Sequence, residues 1–264
     1  MYRLVAVDLD GTLFNNERHV SARNRQAIED VLSSGRILTI ATGRPLQGVS
    51  DIIDMVGADM PFIIYNGAMV ITSKTKRVLY ESMLSGDLAA EVARLGERLG
   101  ATVFVYRNGE LYVSEINQMV SGYMSAFKIA PIVPDDLLQI AAQGATKVLF
   151  RDTPERISKF QEAARPHFEG RLNFFMSQPN ILEFVNLNAS KGAAMRIIGE
   201  RYNIAQSEMF AIGDSYNDAS MLRYAGLGVA MGNAPAEIKD IADAVTLTNE
   251  EDGVAEAIYR YILN

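Results

Sequence analysis

Leu4-Val5-Ala6-Val7-Asp8-Leu9-Asp10-Gly11-Thr12 is a short apolar run, rich in β-formers, that breaks into two acids, a glycine and a threonine. Too short for a typical helix, it reads as a buried strand that ends in a site. Alternate side chains of a strand share a face, so Asp8 and Asp10 are expected to project together while Leu9 returns to the core. Asp10-Gly11 is also compatible with a plain turn. A turn leaves Asp8 unexplained, because an acid inside an apolar strand is costly to bury without a partner. That partner must come from elsewhere in the chain.

Composition narrows the search. The 264 residues are 48% hydrophobic, enough for one large domain or two ordinary ones. No apolar stretch reaches about 18 residues and no signal-peptide pattern precedes the first strand, so a cytoplasmic protein without a membrane partner is expected. The absence of cysteine removes thiolate nucleophiles and zinc-thiolate sites. A net charge of −7 offers no basic surface for nucleic acid, although a local site for a small anion stays open. His19 and His167 lie in polar stretches with no partner at ligand spacing and read as surface residues. Nothing in the sequence sets an oligomeric state.

Strands then alternate with helices. Ser21 reads as an N-cap before the stripe Ala27, Ile28, Val31 and Leu32, and Gly35 as a stop. A strand Ile37–Ala41 runs into Thr42-Gly43-Arg44-Pro45, and Phe62–Tyr65 runs into Asn66-Gly67. This pattern predicts an α/β fold with a parallel sheet flanked by helices. From about Met83 the texture changes to Thr102–Tyr106, Leu111–Val113, Lys147–Phe150, Leu172–Met176 and Ile181–Val185, separated by helices. These segments predict a second α+β unit over 84–185, inserted into a first made of 1–83 and 186–264. The first texture returns with a helix from Lys191, the strand Met209–Ile212 ending at Gly213-Asp214, and a last helix through Val254 and Ile258.

In open α/β sheets the site lies beyond the carboxyl ends of the strands. The residues there are Asp8, Asp10, Thr42, Asn66, Asp214, Asn217 and Asp218. So many carboxylates share a pocket only around a cation, and oxygen ligands favour Mg²⁺ over zinc. A hydroxyl, Thr42, and a cation, Lys191, stand beside them, the latter near a helix start whose N–H groups also favour anions. Metal, lysine and hydroxyl around one point suit a phosphoryl group, which an Asp carboxylate can attack.

Taken in order, Asp8-Leu9-Asp10-Gly11-Thr12, Ala41-Thr42-Gly43-Arg44, Ser190-Lys191-Gly192 and Gly213-Asp214-Ser215-Tyr216-Asn217-Asp218 resemble the four motifs of the haloacid dehalogenase-like superfamily, Cof-type branch. The resemblance implies a Rossmann-like core with an inserted cap, and a Mg²⁺-dependent phosphatase acting on a small phosphorylated metabolite such as a sugar phosphate. It makes Asp8 the nucleophile and Asp10 the general acid and base. Thr42, Gly43, Lys191 and Asn217 would hold phosphoryl oxygens. Asp8, the backbone carbonyl of Asp10 and Asp214 would bind the metal, with Asp218 and Thr12 behind them. By the same resemblance the second acid, Asp10, favours phosphatase or phosphomutase over dehalogenase or transport ATPase; a non-catalytic sensor of a phosphorylated ligand is the reading from another class.

Other residues carry two readings each. Arg44 is either a substrate contact or a surface arginine, and Asn66-Gly67 either a turn or a substrate contact. Glu183, in an otherwise apolar strand, requires a partner or solvent and is a candidate substrate contact.

Overall fold

The computed structural model describes residues 1–127 and 129–263. The chain divides into two compact units, one of Met1–Gly43, Asp51–Tyr80 and Ser190–Asn264, the other of Arg44–Ser50 and Glu81–Ala189. Change of texture in the sequence set the limits at 83/84 and 185/186. The flanking residues join the second unit because Asn186 donates its amide to the Met83 carbonyl at 2.8 Å and Asn173 donates to the Ala189 carbonyl at 3.2 Å.

The first unit is built on a parallel sheet in the spatial order Ala244–Val245, Leu227–Ala230, Met209–Gly213, Leu4–Val7, Ile37–Ile40. Leu4–Val7 lies centrally and all four of its side chains are buried, as expected of a strand covered on both faces. On one face Leu4, Ala6, Met209 and Ala211 pack against Ala194, Met195 and Ile198 of the helix Lys191–Tyr202 and against Met221 and Leu222 of the helix Ala219–Tyr224. The helix Ala22–Ser33 packs against Gly253–Tyr261. Ser21 caps the former by accepting from Asn24 N at 3.0 Å, and Asn24 Oδ1 accepts from Ala255 N at 2.9 Å. Beyond Ile40 the strand Pro61–Ile64 joins through an Ala41–Ile63 bridge and leads an antiparallel sheet with Met69–Thr72 and Val78–Glu81.

An antiparallel sheet forms the second unit, in the order Glu110–Val113, Thr102–Arg107, Lys147–Arg151, Ile181–Asn186, Leu172–Gln178. Alternation sends Val103, Val105, Val148, Phe150, Leu182 and Phe184 into a core with the helices Gly86–Leu99, Leu137–Ala141 and Pro154–Phe168. Lys147 and Glu183 occupy the alternate positions and are also buried. Among the described residues no helix is long and apolar enough to cross a membrane.

Candidate active site

Because the central strands are parallel, the residues following Val7, Ile40 and Gly213 emerge at one edge of the sheet. The first strand ends earlier than its sequence suggests. Leu13 N and Phe14 N bond back to the carbonyls of Asp8 and Leu9 at 3.2 and 2.8 Å, so Asp8 to Phe14 form a tight loop rather than two more strand residues. Asp8 is buried in this loop, Leu9 goes to the core and Asp10 is exposed. The two acids therefore differ in environment instead of sharing one strand face.

The partner that Asp8 requires is Lys191. Its Nζ is fully buried and donates to Asp8 Oδ1 at 2.6 Å and Asp218 Oδ1 at 2.5 Å. Burial alone would lower the Lys191 ammonium; the Asp218 and Asp8 carboxylates outweigh it and hold it above the usual lysine range. Burial drives the Asp8 carboxyl well above the usual carboxylate range, the Asp218 and Asp214 charges push the same way, and Lys191 opposes them. Asp214 is pushed up to about 6, first by burial and then by Asp218. The Thr12 hydroxyl donates to Asp214 Oδ1 at 2.9 Å and counters part of this shift.

Oxygens of Asp8, Asp214 and Asp218 all lie within 4.8 Å of one another. One lysine does not neutralise three carboxylates, and an all-oxygen donor set of this kind fits a hard divalent cation. The three are not equivalent. Asp218 spends Oδ1 on Lys191 and Oδ2 on Asp214 N and Ser215 N, each at 3.0 Å, so it organises the loop. Oδ2 of Asp8 and Oδ2 of Asp214 take no hydrogen bond among the described residues. Gly11, at φ +80°, lets the loop pass Asp214: a Cβ there would stand 2.5 Å from Asp214 Oδ2.

The helix start at Lys191 works differently from the sequence expectation. Gly192 N donates to Ser220 Oγ at 3.0 Å and Ala193 N to Ser190 Oγ at 3.1 Å, so these two N–H groups are already engaged. The Lys191 ammonium itself reaches the acids.

Thr42 is buried, its N donating to the Ile63 carbonyl at 2.9 Å and its own carbonyl accepting from Asn66 N at 3.0 Å. Asn66 and Gly67 are buried too, within a turn whose residues Tyr65, Asn66 and Gly67 have φ of 51°, 55° and 92°. Non-glycine residues held there cost about 1–3 kcal/mol each. Asn66 Oδ1 accepts from Asn217 Nδ2 at 2.9 Å. Arg44 is half-buried and donates to the Gly48 carbonyl at 3.1 Å, within the segment that groups with the second unit. Glu183 finds its partner in Lys147, Nζ to Oε1 at 3.1 Å, with Ser177 Oγ donating to the same oxygen at 2.9 Å.

Two contributors escaped the sequence reading. Ser215 donates its hydroxyl to Asn217 Oδ1 at 2.5 Å and its N to Asp218 Oδ2 at 3.0 Å, along a Ser-x-x-Asp signature visible in the chain. Asn233 donates to the Gly11 carbonyl at 2.8 Å and accepts from Asn249 N at 3.0 Å, bracing the loop of the two acids. No local signal marks Asn233.

Known proteins resemble this chain along nearly all of its length. The sequence pattern of the haloacid dehalogenase-like hydrolases matches residues 5–258. Phosphatase YwpJ of Bacillus subtilis is 33% identical, the match covering 96% of this chain and 97% of the relative. A haloacid dehalogenase-like hydrolase from Bacteroides thetaiotaomicron superposes with a TM-score of 0.88 at 31% identity, covering 98% of this chain and 99% of that one. The subclass IIB sugar phosphatase BT4131 does so with a TM-score of 0.83 at 25% identity, over 98% of each chain. Matched along nearly all of its length, with acids at the ends of parallel strands and a buried lysine between two of them, the chain belongs to the haloacid dehalogenase-like hydrolases.

Proposed function

We propose that this chain is a Mg²⁺-dependent phosphatase that hydrolyses a small phosphorylated metabolite, a sugar phosphate, through a phosphoaspartyl intermediate on Asp8. One observation carries the reading: a buried carboxylate, Asp8, is held at one oxygen by Lys191 beside the Asp214 carboxylate. Desolvation makes a carboxylate a better nucleophile than it is in water, and the lysine holds it in place and opposes its protonation. Asp8 and Asp214, with the backbone carbonyl of Asp10, would hold Mg²⁺. The ion supplies charge neutralisation for the transferring phosphoryl group.

In the first half-reaction an Asp8 oxygen bonds to phosphorus while the ester P–O bond breaks, and the leaving oxygen takes the proton of the Asp10 carboxyl. In the second, the Asp10 carboxylate removes a proton from water, which attacks phosphorus, releases phosphate and restores Asp8. The exposed position of Asp10 supports this role, since it must reach both a leaving group and water. Lys191, Thr42, Gly43 and Asn217 would bind phosphoryl oxygens. The second unit, read as a cap, would exclude bulk water and select the ester; the name of the relative BT4131 as a sugar phosphatase supports that substrate class.

The test is phosphate release from hexose, pentose, triose and nucleotide phosphates, with Mg²⁺ and with excess chelator. Chelator-sensitive release from sugar phosphates, abolished by Asp8→Asn, is expected. Turnover that survives Asp8→Asn would rule out the phosphoaspartyl route.

A further inference from the structure

The Asn66 side chain meets another residue of the site. At 4% exposure it is buried, and its Oδ1 accepts from Asn217 Nδ2 at 2.9 Å. Asn217 Oδ1 in turn accepts from Ser215 Oγ at 2.5 Å. These two bonds fix both ends of the Asn217 carboxamide. A primary amide has two N–H groups, so among the described residues one N–H of Asn217 stays uncommitted, with its direction set by the other two contacts.

The turn that carries Asn66 is itself pinned on three sides. Asn66 N donates to the Thr42 carbonyl at 3.0 Å. Its carboxamide lies over Gly43, where a Cβ would stand 2.9 Å from both Oδ1 and Nδ2. Gly67 approaches the start of the Lys191 helix so closely that a Cβ would meet the Ser190 carbonyl oxygen at 2.1 Å. One buried turn thus touches the loops of Thr42, Lys191 and Asn217. Its three successive left-handed residues are the kind of strain that survives only where the surroundings impose it.

We propose that Asn66 is a positioning residue: through its hydrogen bond to Asn217 it aims the remaining Asn217 N–H at the phosphoryl group, an inference that rests on the phosphatase reading above. Asn66 then acts through Asn217 and has no effect of its own on substrate.

A double-mutant cycle tests this with Asn66→Gly, Asn217→Ala and the pair, using kcat/KM for the best ester of the panel. Glycine adopts the left-handed backbone without steric cost, so Asn66→Gly deletes the carboxamide and keeps the turn. Each single variant should lose about tenfold, the worth of one hydrogen bond to a charged group, and the double variant should be no worse than Asn217→Ala. Multiplied losses would overturn the proposal. A crystal structure of Asn66→Gly gives a readout independent of turnover: the Asn217 carboxamide should leave its position, and finding it unmoved would equally overturn the proposal. If the wild-type chain releases no phosphate from any ester, the phosphatase reading fails, while the crystal structure still decides whether Asn66 holds Asn217.

Discussion

Asp214→Asn should stabilise the metal-free protein at neutral pH. The Asp214 carboxyl is pushed from an ordinary value of 3.8 up to about 6, first by burial and then by the Asp218 charge. Between those two values the native state binds the proton more tightly than the unfolded chain does, so stability falls as pH rises from about 4 to 6. Above pH 6 the full penalty applies. At about 1.4 kcal/mol per pH unit it comes to about 3 kcal/mol against folding. An amide removes that penalty and still offers Oδ1 to the Thr12 hydroxyl, whose bond is 2.9 Å. For a chain of this size the gain corresponds to a rise in melting temperature of about 6–12 °C. The assay is thermal unfolding after dialysis against chelator, at pH 7.5 and at pH 4.5. The variant should melt higher at pH 7.5, and the difference should shrink at pH 4.5, where wild-type Asp214 is largely protonated. Saturating Mg²⁺ should raise the wild type and leave the variant nearly unchanged. A lower melting temperature for Asp214→Asn in chelator at pH 7.5 would refute the reasoning, because the crowded carboxylate would then be net stabilising.

Proton competition at the same carboxylates should weaken Mg²⁺ binding as pH drops below about 6, by up to tenfold per unit for each competing proton; titration calorimetry at pH 5.0 and 7.5 checks it. Gly11→Ala should lower stability and weaken Mg²⁺ binding together, since the new Cβ would stand 2.5 Å from Asp214 Oδ2 at φ +80°; denaturation with and without Mg²⁺ measures both. In the second unit, Lys147→Met removes the ammonium facing the buried Glu183 and should cost about 3–5 kcal/mol, whereas Lys147→Met with Glu183→Leu should recover most of it. Urea unfolding of the single and double variants decides, and equal losses would show that the pair is not the relevant unit.

The parts of the fold and site that were legible in the sequence share one property: their signal is local. Leu4–Val7 announces a strand buried on both faces by its unbroken apolar run, and Ser21 announces a helix start by its place before a 3.6-residue stripe. Asp8, Thr42 and Asp214 stand directly after such runs, so the parallel sheet carries them to one edge. Distance along the chain limits the rest. Asn66 and Asn217 are 151 residues apart, and neither residue type nor spacing says that one carboxamide holds the other. Asn233 reaches Gly11 across 222 residues with the same silence. Asp8 and Glu183 lie between these cases. An acid in an apolar run demands a partner, and here each demand is met by a lysine, Lys191 for one and Lys147 for the other. Lys147 stands at the head of a strand followed by Val148, Leu149 and Phe150, and as a strand limit it draws no notice as a charge. The two strands are neighbours in one antiparallel sheet, and it is that pairing, not the sequence, that brings the two charges together. Lys147 thus holds one oxygen of Glu183, and Asn217 holds Oδ1 of Asn66. In both residues a polar group that the sequence leaves open meets another side chain across a long stretch of chain, Lys147 for Glu183 and Asn217 for Asn66.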